Sequence, residues 1–108
     1  MSNFYADATA SSGAIALTVA PGIPWQLKQV SCHLDAAGAA TAFTITTDAA
    51  SGALFDALIY TTSMGGVTSL VRTFDPPIEF KAGDEIDIAY ANGSSAAYGV
   101  TVTWRGSY

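Results

Sequence analysis

The segment from Glu85 to Tyr90 limits the possible folds more than any other, because its side chains alternate strictly in polarity. Ile86, Ile88 and Tyr90 are its apolar members, and Glu85, Asp87 and Ala89 lie between them. Successive side chains of an extended strand point to opposite faces, so this alternation gives one apolar and one solvated face. Turn-forming residues enclose the segment, with Gly83 before it and Asn92-Gly93 after it. The pattern predicts an antiparallel β-strand.

Other segments of the chain have comparable patterns. Further strands are predicted at residues 15–19, 25–34, 43–46, 67–74 and 98–105. In segment 25–34 the apolar phase changes after Leu27, so we expect a β-bulge near Lys28 or Gln29. Ile78 and Phe80 indicate one more short strand.

Proline residues are expected to separate that short strand from the one before it. Pro76 and Pro77 lack the backbone N–H that a sheet ladder needs, so they should close off the segment that precedes them.

Two segments allow alternative interpretations. Residues 3–9 are compatible with an edge strand or with an arm that lies on a neighbouring subunit. Residues 48–62 include a helical stripe, Leu54, Phe55, Leu58 and Ile59, with Asp48 as a possible N-cap. Gly52 and the run LIYTT oppose a helix, and we favour a loop to Ala53 followed by a strand at 54–62.

The number and spacing of these segments predict the fold class. Short strands with turn signals every 8–12 residues or so are typical of an all-β sandwich or barrel. We predict a single antiparallel β-sandwich of eight or nine strands, jelly-roll-like, with an immunoglobulin-like sandwich as the alternative. Residues 1–12 would be the N-terminal arm or edge strand, and residues 13–108 the sandwich domain. The predicted core contains Leu17, Phe43, Ile45, Ile86, Ile88, Val100, Val102 and Trp104.

Composition excludes several classes of function. The chain has 108 residues, of which 12% are charged, and a formal net charge of −5. An acidic chain is a poor binder of nucleic acid. No apolar run has the length of a membrane span or of a signal peptide, so we expect a soluble protein made in the cytoplasm. Cys32 is the one cysteine, and an intramolecular disulfide is therefore impossible.

Catalytic and metal-binding patterns are not found in the sequence. Cys32 and His33 are adjacent on a strand, so their side chains should point to opposite faces rather than form a dyad. Asp84, Glu85 and Asp87 are interpreted as a turn residue and two solvated carboxylates rather than calcium ligands. There is no nucleophile elbow, P-loop or dinucleotide fingerprint. We predict no enzyme activity, and no catalytic, cofactor-binding or metal-binding residues.

Aromatic residues are the remaining candidates for contacts with other molecules. Trp25 follows a proline at a strand start and is expected to be partly exposed, whereas Tyr98 and Trp104 should lie in the core. Sugar binding through Trp25, Tyr60 or Tyr5 is one possibility. The predicted partner contacts are Phe4, Tyr5 and Trp25.

Short motifs in the second half of the chain carry a resemblance to a known group. The motifs are Ile45-Thr46, Asp48 with Gly52, Phe55-Asp56, Leu58-Ile59, Ala82-Gly83-Asp84, Tyr90 with Asn92, and Tyr98-Gly99 with Thr101. In this order, over residues 25–104, the chain resembles small β-sandwich virion proteins of tailed bacteriophages, of the head decoration or cement type. Phe55 stands where that group is expected to have Tyr.

The resemblance implies a structural protein of the virion that stabilises contacts between capsid subunits. Its implied partners are the major capsid protein or other virion proteins, with self-association into a homo-oligomer, and without nucleic acid, membrane or cofactor. Two alternatives remain open at this point, a glycan-binding module of a tail fibre or baseplate and a small tail or connector subunit. The implied location is the virion.

Overall fold

Eight β-strands make up most of the molecule. The computed structural model describes residues 4–11, 13–52, 54 and 56–106, with side chains from residue 13 onward. The strands are β1 (Phe4–Ser11), β2 (Ile15–Val19), β3 (Trp25–Leu34), β4 (Ala42–Asp48), β5 (Leu58–Ser63), β6 (Ser69–Phe80), β7 (Glu85–Tyr90) and β8 (Tyr98–Gly106). No α-helix occurs in these ranges.

The strands form two four-stranded antiparallel sheets. Sheet A has the order β1-β8-β3-β6, and sheet B has the order β2-β7-β4-β5. The chain changes sheet at every connection between these strands except the β4–β5 hairpin. Two four-stranded sheets with this alternation are the arrangement of a jelly roll. The predicted all-β, jelly-roll-like sandwich is confirmed, and the immunoglobulin-like alternative is wrong.

The core lies between the sheets and is built from the apolar phase of each strand. Phe43, Ile45, Ile86, Ile88, Val100 and Val102 are buried as predicted. Leu17 and Trp104 are half-buried and pack against this core. Each lies on the same face of its strand as that strand's buried residues. The alternation at residues 85–90 therefore does what the sequence predicts: one side faces the core, and the other faces solvent.

The predicted bulge in β3 is present. The register shifts between Leu27 and Gln29 in the pairing of β3 with both of its neighbours. Trp25 and Leu27 before the shift and Val30 after it are all buried, which a strand without an extra residue would not permit.

The two prolines do not end a strand, contrary to the prediction. Strand β6 continues from Ser69 to Phe80, and the Asp75–Pro76 peptide bond is cis. Between Thr73 and Ile78, residues 74–77 lie opposite the bulge of β3 without direct pairing. Strand β6 is also an edge strand, and its prolines occupy positions that are not paired with β3, so they remove no N–H group that the β3–β6 ladder uses.

In the segment 48–62, Asp48 ends β4, the described residues between 49 and 57 connect β4 to β5, and the strand that follows is shorter than predicted. Strand β5 begins at Leu58, four residues later than predicted, and Leu54 lies outside it with 96% of its surface exposed. The loop is closed locally: the Ala49 N–H donates to Asp56 Oδ1 at 2.8 Å, and Thr47 N and the Ala57 carbonyl oxygen are 2.8 Å apart. The helical alternative is wrong for the described part of this segment.

Residues 4–11 form an edge strand. The backbone of β1 pairs antiparallel with β8 from Phe4 opposite Arg105 to Ser11 opposite Tyr98. The pairing extends sheet A of the same chain, so the edge-strand alternative is correct for this segment.

The two ends of the sandwich are closed in different ways. At the tryptophan end, defined by Trp25, Phe80, Trp104 and Asp84, the Trp25 ring stacks on Phe80 with centroids 4.6 Å apart. Trp104 contacts Trp25 edge-on at 6.0 Å. The indole Nε1–H of Trp25 donates to the Asp84 carbonyl oxygen at 3.0 Å, so this buried polar atom is satisfied.

At the asparagine end, defined by Asn92, Tyr90 and Tyr98, buried side chains bind loop backbone instead. The Asn92 Nδ2 group donates to the carbonyl oxygens of Gly13 and Ala96, at 2.9 and 3.0 Å. Tyr90 donates to Ala39 and Tyr98 donates to Ala14 through their hydroxyl groups. Asn92 has a φ of 54°, a left-handed conformation that asparagine tolerates better than most residues.

Candidate functional site

An open cleft lies on the outer face of sheet A, near the tryptophan end. Its volume is about 460 Å³, within the approximate range of 300–1,000 Å³ typical of small-molecule sites. It forms where the bulge of β3 faces the unpaired residues 74–77 of β6. Gln26, Lys28, Pro76, Pro77, Glu79 and Arg105 line it. We call it the proline cleft.

A row of hydrogen-bonded side chains crosses the floor of the proline cleft. Gln26 lies opposite Glu79 on one side and opposite Arg105 on the other, so the three side chains share the outer face. The Arg105 Nε–H donates to Gln26 Oε1 at 3.0 Å, and Gln26 Nε2 donates to Glu79 Oε2. These bonds orient the amide, and through it the guanidinium and the carboxylate.

The remaining lining residues come from the bulge of β3 and from the unpaired segment of β6 opposite it. Lys28 is the extra residue of the β3 bulge and is half-buried, and Pro76 and Pro77 supply rigid apolar rings opposite it. The chain has four Lys and Arg residues, and two of them, Lys28 and Arg105, line this one cleft. With Glu79 the lining has a formal charge of +1 in a chain of net charge −5.

The outer face of sheet B has the opposite character. Its central surface, the threonine face, consists of Ala16, Thr18, Thr44, Thr46, Asp87 and Ala89, which alternate with the buried residues of β2, β4 and β7. The Thr18 hydroxyl donates to Asp87 Oδ1 at 2.7 Å. The side chains of this face are short, and a shallow recess of about 170 Å³ lies between β2 and β7, lined in part by Ala16, Asp87 and Ala89. No Lys or Arg lies on it.

The aromatic residues predicted to contact other molecules do not offer exposed rings in the described part of the chain. Trp25 is fully buried, so the expectation of a partly exposed ring there is wrong, and its ring has no surface for a partner or a sugar. Tyr60 is half-buried, with the Arg72 guanidinium 5.2 Å from its ring centroid. The side chains of Phe4 and Tyr5 lie outside the described residues, and their partner contacts stay a prediction.

The acidic residues near the β6–β7 turn have a structural arrangement. Asp84 Oδ1 accepts from the Ala50 N–H and Oδ2 from the Lys81 N–H, both at 2.9 Å. The bonds from Ala50 and then Lys81 hold the pKa of this carboxyl below its usual value. Gly83 lies in the turn that the sequence predicts, with a φ of 90°, and a Cβ atom at this position would lie 3.1 Å from the Ala50 Cβ. Asp84 thus joins two loops rather than facing a ligand.

The Cys32-His33 pair is arranged as the sequence predicts. Cys32 is buried and His33 is exposed, on opposite faces of β3, and burial raises the pKa of the Cys32 thiol. Within the residues that the structure describes, no three His, Cys, Asp or Glu side chains are grouped to hold a metal ion. No helix in those ranges has the length and apolar character needed to cross a membrane.

The lining residues of the proline cleft were not predicted as site residues. Gln26, Lys28, Glu79 and Arg105 are individually ordinary polar residues of strands. The available signal was the coincidence of a phase change at Lys28 with a Pro-Pro pair, but nothing in the sequence places these two features opposite each other.

Comparisons with known proteins support the fold. No protein-family model matches the chain, and no curated protein sequence is similar to it. The chain is similar to the Drosophila NLP core, a structure concerned with pentamer formation and histone binding, with a TM-score of 0.51 and 14% identity over 94% of this chain and 96% of that one. It is also similar to the family 32 CBM of C. perfringens NanJ, solved with galactose, with a TM-score of 0.54 and 17% identity over 93% of each chain. At these identities the likeness shows a shared β-sandwich fold.

Proposed function

We propose that this protein is a structural component of a bacteriophage virion that decorates the head and stabilises contacts between capsid subunits. The observation that carries the proposal is the threonine face. A surface of Thr and Ala side chains with one charged residue, Asp87, and no Lys or Arg loses less hydration free energy than a highly charged surface when another protein covers it. A homo-oligomer that presents several copies of this face to a shell of repeated subunits would gain avidity, because its modest contacts are linked.

The charge of the chain fits this role. Nine acidic residues against four Lys and Arg make nonspecific binding to the packaged or released genome unfavourable. In this proposal the partner is the major capsid protein, and a homo-oligomer would present several threonine faces together.

The first experiment locates the protein in phage particles. Antibody-gold labelling of particles purified from a host that carries this gene should mark the heads. Labelling of tails would instead favour a tail or connector subunit, and purified particles without label would contradict a virion role.

The second experiment tests the face. Thr44→Lys places a cation at the centre of the threonine face, and Thr101→Lys places one on the outer face of sheet A. Both positions are half-exposed Thr residues of inner strands, so the two variants match in chemistry and burial. With undecorated capsids we expect saturable binding that Thr44→Lys weakens and Thr101→Lys preserves. Equal binding by both variants would exclude the threonine face as the contact.

A second candidate function is a glycan-binding module of a tail fibre or baseplate. The proline cleft favours it, because it combines polar side chains in fixed positions with apolar rings. The galactose complex of the family 32 CBM shows that a protein of similar fold binds a sugar. A sugar array separates this candidate from a protein that binds capsids alone.

A further inference from the structure

We propose that the proline cleft binds an acidic monosaccharide unit, a sugar of the uronic-acid class with a ring carboxylate and several hydroxyl groups. The inference rests on the lining of the cleft alone, so it holds or fails independently of capsid binding.

The first step is the charge of the lining. Lys28 and Arg105 lie on neighbouring strands in the lining of one cleft, whereas the threonine face on the other sheet carries no Lys or Arg. A guanidinium and an ammonium on adjacent strands suit a carboxylate, because each forms charge-assisted hydrogen bonds with its oxygens. A ligand that carries a carboxylate complements the formal charge of +1 on this lining.

The second step is the mixture of donors and acceptors. The carboxylate of Glu79 and the amide of Gln26 lie in the same row as Arg105. A carboxylate in the lining opposes binding of a simple inorganic anion, but it accepts hydrogen bonds from hydroxyl groups. The lining therefore matches a ligand that is both an acid and a polyol.

The third step is preorganisation. The Gln26 amide is held on both sides, by the Nε–H of Arg105 and by the carboxylate of Glu79, and the β-ladder fixes the backbone of all three strands. Pro76 and Pro77 line the opposite side with rings that lose little conformational freedom on binding. A sugar ring with C–H groups on one face fits between a polar row and an apolar wall.

The test is an NMR titration of the ¹⁵N-labelled full chain with three probes: glucuronate, glucose and acetate. We expect glucuronate to shift the side-chain amide signals of Gln26 saturably, with glucose and acetate at least tenfold weaker. Gln29 is the internal reference, because it lies beyond the bulge and its Oε1 accepts from Thr73 outside the lining. Added salt should weaken the binding of glucuronate.

Two variants with the same change in charge complete the test. Lys28→Gln removes a lining cation, whereas Lys81→Gln removes a cation of the β6–β7 turn outside the lining. We expect Lys28→Gln to weaken glucuronate binding at least tenfold and Lys81→Gln to leave it within twofold. No saturable shift with glucuronate would overturn the proposal, as would equal binding of acetate or glucose, or equal losses in the two variants.

Discussion

The tryptophan end and the asparagine end close the same sandwich with opposite chemistry. At the tryptophan end, three aromatic rings cover the core, and one carboxylate ties two turns together. At the asparagine end, an amide and two phenol hydroxyl groups bind the carbonyl oxygens of four loop residues. The tryptophan end is stabilised mainly by the burial of apolar area. The asparagine end is stabilised mainly by hydrogen bonds that satisfy buried polar groups.

The difference shows how local irregularity in the strands shapes the outer surface. The loops of the asparagine end are held from inside by their hydrogen bonds to buried side chains, whereas the β3 bulge and the prolines near the tryptophan end open the proline cleft on the outer surface. The two ends should therefore respond differently to substitution and to pH.

The largest effect is expected from Trp25→Ala at the tryptophan end. The change removes a fully buried ring, its stacking on Phe80 and its bond to Asp84, and should lower the free energy of unfolding by about 3–5 kcal/mol. Trp25→Phe is the control, since it keeps a ring and loses the N–H, and it should cost less. Urea unfolding followed by far-UV circular dichroism measures both. A loss below about 1 kcal/mol for Trp25→Ala would show that the aromatic rings do not stabilise this end.

The asparagine end is tested by Asn92→Ala, with an expected loss of about 2–3 kcal/mol. Alanine leaves the carbonyl oxygens of Gly13 and Ala96 without this donor and is less favourable than asparagine at a φ of 54°. Asn92→Gly also loses the bonds but accepts the backbone angle, so it should be less destabilised. Equal losses of unfolding free energy in the two variants would mean that the left-handed backbone at position 92 does not affect stability.

A smaller, pH-dependent effect is expected from Asp84→Asn. The folded protein lowers the pKa of this carboxyl, so its contribution to stability is present above the unfolded pKa of about 4 and is lost as the pH falls through the folded value. At pH 7 we expect a loss of about 0.5–1 kcal/mol, limited by the partial exposure of the group to water. Thermal unfolding from pH 7 to pH 2 should show the wild type and the variant converging in acid. A difference that stays constant with pH would contradict the linkage.

The last prediction concerns Cys32, whose labelling changes neither end and reports on opening of the core between them. The thiol is buried and burial raises its pKa, so less of the reactive thiolate is present at pH 8 than in the unfolded chain. Labelling by a thiol reagent should be at least about 100-fold slower in native protein than in urea, because the core must open first. Rapid native labelling would show that strand β3 is not held closed near Cys32.

Much of the fold follows from local pattern. Alternation of Ile86, Ile88 and Tyr90 predicts both the strand and the side that faces the core, since side-chain direction depends only on the backbone of that strand. The phase change after Leu27 likewise predicts the bulge. The sequence was less informative where a neighbouring strand determined the local structure. Pro76 and Pro77 were expected to end a strand, but an edge strand opposite a bulge has no N–H bonds to lose there.

The sequence by itself determined that the chain is an antiparallel β-sandwich, that Cys32 and His33 face apart, and that charge is scarce on its surface. Only the tertiary structure decided that Trp25 is buried, because its cover comes from Phe80 and Trp104 on other strands. The proline cleft likewise depends on the tertiary structure. Its lining comes from positions 26, 28, 76, 77, 79 and 105, which strand pairing between distant segments brings to one face. Periodicity reports which face of a strand is buried, but pairing order determines which residues meet.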